Sequence, residues 1–194
     1  MFIEPHLGQP SGNKNRGWIE VITGCMFSGK TEELIRRVNR AVIAKQKVKL
    51  FKPSIDTRYH HLNVVSHNQN SIECTPLNSA KEILHLSSDT DVVGIDEVQF
   101  FDNEIVDVSN ELANKGIRVI IAGLSMDSEA RPFGFVPQLM STAEFVTKLH
   151  AICAQCGGIA SYSFRLSSSK EKVLLGEKDL YEARCRECFN SIIS

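Results

Sequence analysis

Gly24-Cys25-Met26-Phe27-Ser28-Gly29-Lys30-Thr31 has the composition of a loop that holds phosphate. It fits the pattern G-x-x-x-x-G-K-[ST]. Gly24 and Gly29 allow backbone conformations that other residues resist, so successive N–H groups can turn inward around phosphate oxygens. Lys30 is placed to reach β- and γ-phosphates, and the Thr31 hydroxyl to help hold Mg²⁺. The context supports this reading. Residues 18–23 (WIEVIT) form a β-rich run before the loop, and over residues 30–45 Leu34, Ile35, Val38, Ala41 and Val42 recur at helical spacing. That helix brings its positive N-terminal dipole to the loop. Glu32–Arg36 and Glu33–Arg37, four apart in the favoured order, predict an exposed face opposite the apolar one.

Strand and helix continue to alternate beyond the loop. Residues 48–51 read as a strand stopped by Pro53, and 54–76 as a long loop with one or two short strands. Helices are expected over 79–86 and over 104–114, the latter closed by Gly116. Apolar strands are expected over 91–95 and 117–124. Helices between short apolar strands predict βαβ units, an α/β P-loop NTPase core with a mostly parallel sheet. Such a core needs an acidic residue at the end of another buried strand, on the Mg²⁺ side of the site. Val92-Val93-Gly94-Ile95-Asp96 supplies it, so Thr31 and Asp96 are the candidate Mg²⁺ residues, Asp96 through water. Adjacent strand residues point to opposite sides, which gives Glu97 a different task. It suits either polarising an attacking water or accepting a proton from a substrate hydroxyl.

Around residue 150 the texture changes to cysteine pairs, glycines and short polar segments. The expected division is a leader over 1–16, a nucleotide-binding domain over 17–150 and a zinc-binding domain over 151–194. Cys153-x-x-Cys156 and Cys185-x-x-Cys188 are separated by 28 residues. Each C-x-x-C lets one turn present two thiolates, and four thiolates fill a tetrahedral Zn²⁺ shell, so the metal is structural. Redox pairs are the alternative, which two such pairs together disfavour. Cys25 and Cys74 lack partners at metal spacing and read as packing or loop residues.

Composition narrows the function classes. Lys+Arg is 22 and Asp+Glu is 23, so the net charge of -1 gives no sign of a nucleic-acid-binding surface. The run Val119-Ile120-Ile121-Ala122-Gly123-Leu124 falls far short of the roughly 18 apolar residues a membrane span needs. Residues 1–16 lack the apolar core of a signal peptide. A cytoplasmic protein is expected.

Taken together, the residues resemble type II thymidine kinases, zinc-containing P-loop deoxynucleoside kinases, from about Trp18 to Phe189. The stretches that carry the resemblance are GCMFSGKTEELIRR over 24–37, Asp56-Thr57-Arg58-Tyr59, Asp96-Glu97-Val98-Gln99-Phe100-Phe101, Pro132-Phe133-Gly134 and both cysteine pairs. The resemblance implies ATP-dependent phosphorylation of the 5′-hydroxyl of thymidine, and of deoxyuridine, in pyrimidine salvage. Glu97 matches the family's catalytic base. The loop from Gly24 to Thr31, together with Asp96, Glu97, Val98 and Gln99, matches its ATP site, and Arg58 matches a phosphate-side arginine. The segment between the cysteine pairs resembles a lasso that closes over the base, with Leu174, Leu175 and Gly176 lining it and Tyr181 beside sugar and base. Met26, Phe101, Leu124 and Phe133 match the pocket floor, although by themselves Phe100, Phe101 and Phe133 read equally as core. Arg165 reads either as a pin for the lasso or as a solvated arginine, and His60, His61 and His67 carry no assigned chemistry. A homotetramer inhibited by the triphosphate end product is also implied.

One stretch departs from the family pattern, D-x-D-F after Leu124. Here Ser125-Met126-Asp127-Ser128 puts serine in place of an aspartate and of a pocket phenylalanine, so Ser128 is carried as the positional equivalent. Losing the ring predicts base binding weaker by around 1–3 kcal/mol where nothing refills the space. Two other classes fit the motifs: a P-loop ATPase with a zinc ribbon acting on nucleic acid, and a non-catalytic nucleotide sensor.

Overall fold

A computed structural model describes residues 17–56, 63–65, 71–166 and 180–191. The chain runs β1 (Trp18–Gly24), α1 (Lys30–Ile43), β2 (Val48–Pro53), β3 (Asn63–Val65), β4 (Ser71–Glu73), β5 (Thr75–Leu77), α2 (Lys81–Leu86), β6 (Val92–Ile95), α3 (Ile105–Asn114), β7 (Arg118–Leu124), α4 (Val136–Thr142) and β8 (Phe145–Leu149). Then come β9 (Ala151–Ile152), β10 (Ile159–Ala160), β11 (Tyr162–Arg165), β12 (Tyr181–Arg184) and α5 (Arg186–Asn190). Six strands form one sheet in the order β5-β2-β6-β7-β1-β8, with every neighbouring pair parallel. Among the described residues no helix is long and apolar enough to cross a membrane.

Both faces of the sheet are covered, which is why its strands read as nearly continuous apolar runs. Successive side chains alternate between the faces. Ile19, Val21, Phe51, Val93, Ile95, Val119 and Ile121 pack against Ile83 of α2, Ile105, Val108 and Leu112 of α3, and Val136 and Leu139 of α4. Ile22, Leu50, Val92, Ile120 and Ala122 pack against Leu34, Ile35, Val38 and Ala41 of α1.

Glu20 points to the α1 face, inside this apolar layer, and is fully buried. One carboxylate oxygen accepts from Trp18 Nε1 at 2.7 Å and Arg118 Nε at 2.6 Å, and the other accepts from Arg37 Nη1 at 2.8 Å. Arg37 also donates to Glu33 Oε1 at 2.8 Å and to Thr147 Oγ1 at 2.9 Å. The Glu33–Arg37 pair is therefore real, but its expected exposure is corrected: Arg37 is 0% exposed. Three residues after Leu34, it lies at the edge of the helix's apolar stripe, and the Glu20 carboxylate beneath draws the guanidinium inward. Buried charge is tolerated where partners fill its hydrogen-bonding capacity.

Other differences from the sequence reading lie at the margins. β2 runs through Pro53 rather than stopping before it, because proline is tolerated at a strand end. Among the described residues of 54–76 three short strands appear, and the last of them, β5, joins the main sheet beside β2. α4 and β8 were not singled out: α4 opens with proline at its first turn, and β8 is a short edge strand of alternating half-buried and exposed residues. Gly116, at φ 88°, follows α3 as expected. Among the described residues beyond β8 lie two small antiparallel ribbons, β9–β10 and β11–β12.

Candidate active site

The C-terminal ends of β1, β6 and β7 meet along one edge of the sheet, where open α/β sheets bind ligands. β1 delivers the phosphate loop. A Cβ on Gly24 would stand 2.4 Å from the Leu149 carbonyl, so only glycine lets the loop leave the strand so close to β8. Gly29 is left-handed at φ 83° and leads into α1, whose first residue, Lys30, is buried. Lys30 Nζ and Ser28 Oγ each donate to the Cys25 carbonyl at 2.8 Å. Cys25 itself is buried, which raises its thiol pKa, and its Sγ donates to the Ala160 carbonyl at 3.4 Å. The Met26 N–H donates to Ser163 Oγ at 3.0 Å. Sequence reasoning missed Ser163, since the contact spans 137 residues and has no local signature.

β6 delivers the acids. Thr31 Oγ1 donates to Asp96 Oδ2 at 3.2 Å, so the loop hydroxyl and the strand-end carboxylate meet, as a shared cation site requires. Burial, then the charge of Glu97, pushes Asp96 up to about 7. The two acids diverge for a reason other than strand alternation, which corrects the sequence argument. β6 ends at Ile95, and Glu97 adopts the left-handed region at φ 50°. Asp96 Oδ1 accepts the Glu97 N–H at 2.9 Å and holds that turn. Strain of this kind costs of order 1 kcal/mol and collects at functional sites. Gln99 is buried; its amide nitrogen donates to Glu97 Oε2, and its Oε1 accepts the Leu124 N–H at 3.0 Å, tying the acidic turn to the end of β7. Val98 is buried in the main core.

The candidate pocket residues are distributed around this edge. Met26, Leu124, Ser128 and Phe133 are half-buried; Phe133 lies edge-on to Phe100 with centroids 5.7 Å apart, while Phe101 is buried in the main core. Residues 125–133 double back in a tight turn, where Asp127 Oδ1 accepts the N–H groups of Glu129 at 2.9 Å and Arg131 at 3.0 Å. Ser128 sits near the tip of that turn. Ser125 Oγ is buried without a hydrogen-bond partner among the described residues. Tyr181 is buried at the start of β12, with the Arg165 guanidinium 5.6 Å from its ring centroid. Arg58, Leu174, Leu175 and Gly176 lie outside the described residues.

The four cysteines form a separate centre. The Sγ atoms of Cys153, Cys156, Cys185 and Cys188 all lie within 4.8 Å of one another, with Cys156 and Cys185 at 3.7 Å. Thiolates about 2.3 Å from a tetrahedral zinc stand about 3.8 Å apart, so the set fits the metal. The Cys185 backbone hydrogen bond helps pull Cys153 down to about 6, while hydrogen bonding to the neighbouring thiols of Cys185 and Cys156 pushes Cys188 up to about 12. Four crowded sulfurs of this kind need a cation before all can ionise. Cys25, Ala151, Cys153, Ala160 and Ala183 make one small core between this centre and the phosphate loop. Cys74 is buried on the α1 face of the sheet.

Comparison with known proteins agrees with the geometry. The thymidine kinase family model matches residues 17–189. The thymidine kinase of Bacteroides fragilis is 55% identical over 189 residues, covering 97% of this chain and 94% of its own. That of Rhodothermus sp. is 58% identical over 189 residues, covering 97% and 88%. That of Porphyromonas gingivalis is 54% identical over 179 residues, covering 92% and 88%. With phosphate loop, paired acids and cysteine quartet all inside the matched span, the chain belongs to the thymidine kinase family.

Proposed function

We propose that this protein transfers the γ-phosphate of ATP to the 5′-hydroxyl of thymidine, and of deoxyuridine, with Glu97 as the base. The observation that carries the reading is the meeting of Thr31 with Asp96 beside Glu97, at the mouth of a phosphate loop. Lys30 and the loop amides hold the phosphates in line with the hydroxyl, which Glu97 deprotonates. Gln99 positions Glu97 through its amide. Thr31 and Asp96 would hold Mg²⁺, which when bound neutralises charge on the phosphates. Met26, Leu124, Phe133 and Tyr181 face the nucleoside, joined by Phe101, Ser128, Leu174, Leu175 and Gly176; Arg58 lies on the phosphate side. Cys153, Cys156, Cys185 and Cys188 would hold a structural zinc, which when bound would brace the zinc-binding domain proposed over 151–194 beside the kinase domain over 17–150. The family resemblance extends the reading to a cytoplasmic homotetramer.

Phosphate transfer from ATP·Mg²⁺ to a panel of nucleosides, with products identified by mass, tests this directly. Thymidine monophosphate should form fastest. Faster phosphorylation of another nucleoside would mean that Ser125 and Ser128 have redirected the pocket. No product from any nucleoside, with ATP still bound, would sink the kinase reading in favour of a sensor or a nucleic-acid ATPase.

The raised Asp96 pKa adds a pH dependence. In the cation-free protein the folded state holds this proton more tightly than the unfolded chain, so the group disfavours folding as pH rises from about 4 through 7. Mg²⁺ must displace the proton below about 7, so apparent Mg²⁺ affinity should fall close to tenfold per pH unit there and level off above it. Magnesium titrations of ATP binding from pH 6 to 8.5 read this out, and a flat response would remove Asp96 from the cation site.

A further inference from the structure

We propose that the cysteine-centred lobe is a clamp that sets the shape of the phosphate loop, with Ser163 as its positioning residue. The inference rests on the reading that the loop binds ATP. Two neighbouring residues of the loop are held from outside it. The Met26 N–H donates to Ser163 Oγ at 3.0 Å, and Cys25 Sγ donates to the Ala160 carbonyl at 3.4 Å. Within the loop, the Cys25 carbonyl accepts from Lys30 Nζ and Ser28 Oγ, both at 2.8 Å. The peptide planes around Cys25 and Met26 are therefore fixed by the lobe on one side and by the phosphate-reaching lysine on the other. Ser163 is only 4% exposed, so its hydroxyl serves this amide in a site nearly shut to water.

The connection to the metal centre is short. Ser163 on β11 pairs with Ala183 on β12, two residues before Cys185. Ala160 on β10 pairs with Ala151 on β9, two residues before Cys153. The ribbons are joined by the Ala154 N–H to the Ala183 carbonyl at 2.9 Å and the Ser161 N–H to the Arg184 carbonyl at 3.2 Å. Cys25 packs with Ala151, Cys153, Ala160 and Ala183, so one small core is shared by the loop and both ribbons. A two-stranded ribbon is marginal by itself in water, and two need a further link to act as one rigid body. A zinc shared by Cys153, Cys156, Cys185 and Cys188 supplies that link at the base of both ribbons. The loop then meets the nucleotide already shaped, with less conformational freedom to lose on binding.

The test uses the full-length zinc-loaded protein and Ser163→Ala and Ser163→Thr, each shown to be folded by circular dichroism at the assay temperature. Binding of a non-hydrolysable ATP analogue with Mg²⁺ is measured by calorimetry. Ser163→Ala should bind about 3- to 10-fold more weakly, the effect of one lost hydrogen bond, and Ser163→Thr, which keeps the hydroxyl, should bind like the parent. A second measurement stands apart from nucleotide. Iodoacetamide labelling with peptide mass mapping should find Cys25 protected while zinc is bound and labelled after chelation. Equal affinity of Ser163→Ala and the parent, or Cys25 still protected without zinc, overturns the clamp. If the parent itself binds no analogue, the ATP reading fails instead, and labelling of Cys25 alone then decides the clamp.

Discussion

Glu97→Gln should lower kcat by about 10²- to 10⁴-fold, the usual worth of a positioned general base, while leaving ATP affinity within about twofold of the parent. The substitution is nearly isosteric. The new amide oxygen can still accept from Gln99, and the left-handed turn at φ 50° depends on the Asp96 carboxylate accepting the backbone N–H at residue 97. What disappears is the capacity to take a proton from the 5′-hydroxyl. Rapid-quench measurement of the transfer step, beside calorimetry with ATP·Mg²⁺, separates chemistry from binding. Turnover near that of the parent would remove Glu97 as the base. A parallel loss of ATP affinity would instead mean that Glu97 serves the phosphate site with Asp96.

The second large effect lies away from the chemistry. Glu20→Ala should destabilise the fold by about 3–5 kcal/mol, because it leaves Arg37 and Arg118 buried without their shared carboxylate. Against a total stability of about 5–15 kcal/mol, such a loss brings the domain near its threshold. Urea unfolding with zinc kept bound measures it. Glu33→Ala is the internal control: Glu33 binds Arg36 and Arg37 from the half-exposed side, and its loss should cost about 1 kcal/mol or less. Similar shifts for the two variants would show that Glu20 is no more important than a surface partner.

These two residues also mark what was legible in advance. Asp96 could be placed at a strand end because a phosphate loop demands an acid there and the apolar run 92–95 points to one. Glu97 stood out as the carboxylate that follows it, and the family resemblance gave it the role of base. The cysteine quartet was legible because C-x-x-C spacing is itself the geometry of a turn holding metal. Glu20 and Arg37 were not, since helical periodicity counts an arginine as polar and assigns it to water. Its burial follows from a carboxylate on a strand 17 residues away. Ser163 was hidden for a similar reason, as nothing in Tyr162-Ser163-Phe164-Arg165 distinguishes a hydroxyl that serves a loop 137 residues earlier. Local signals found most elements of the sheet and located the phosphate loop, the acidic pair and the cysteines, but not α4 or β8; contacts remote along the chain decide how firmly these groups are held.

The place of β1 in the sheet has a consequence for how the protein is made. β1, the earliest of the sheet's strands in chain order, sits between β7 and β8, the last two strands of the sheet to be synthesised. Its partners, Arg118 to Leu124 on one side and Phe145 to Leu149 on the other, arrive some hundred residues later. Until then the nascent chain carries a run of apolar residues with both edges unpaired, together with a phosphate loop that has no sheet to shape it. Closure of so long a loop is slow, and exposed strand edges invite association with other chains. Docking of β1 into the sheet thus waits for β7 and β8, and until they arrive both of its edges stay open to wrong partners.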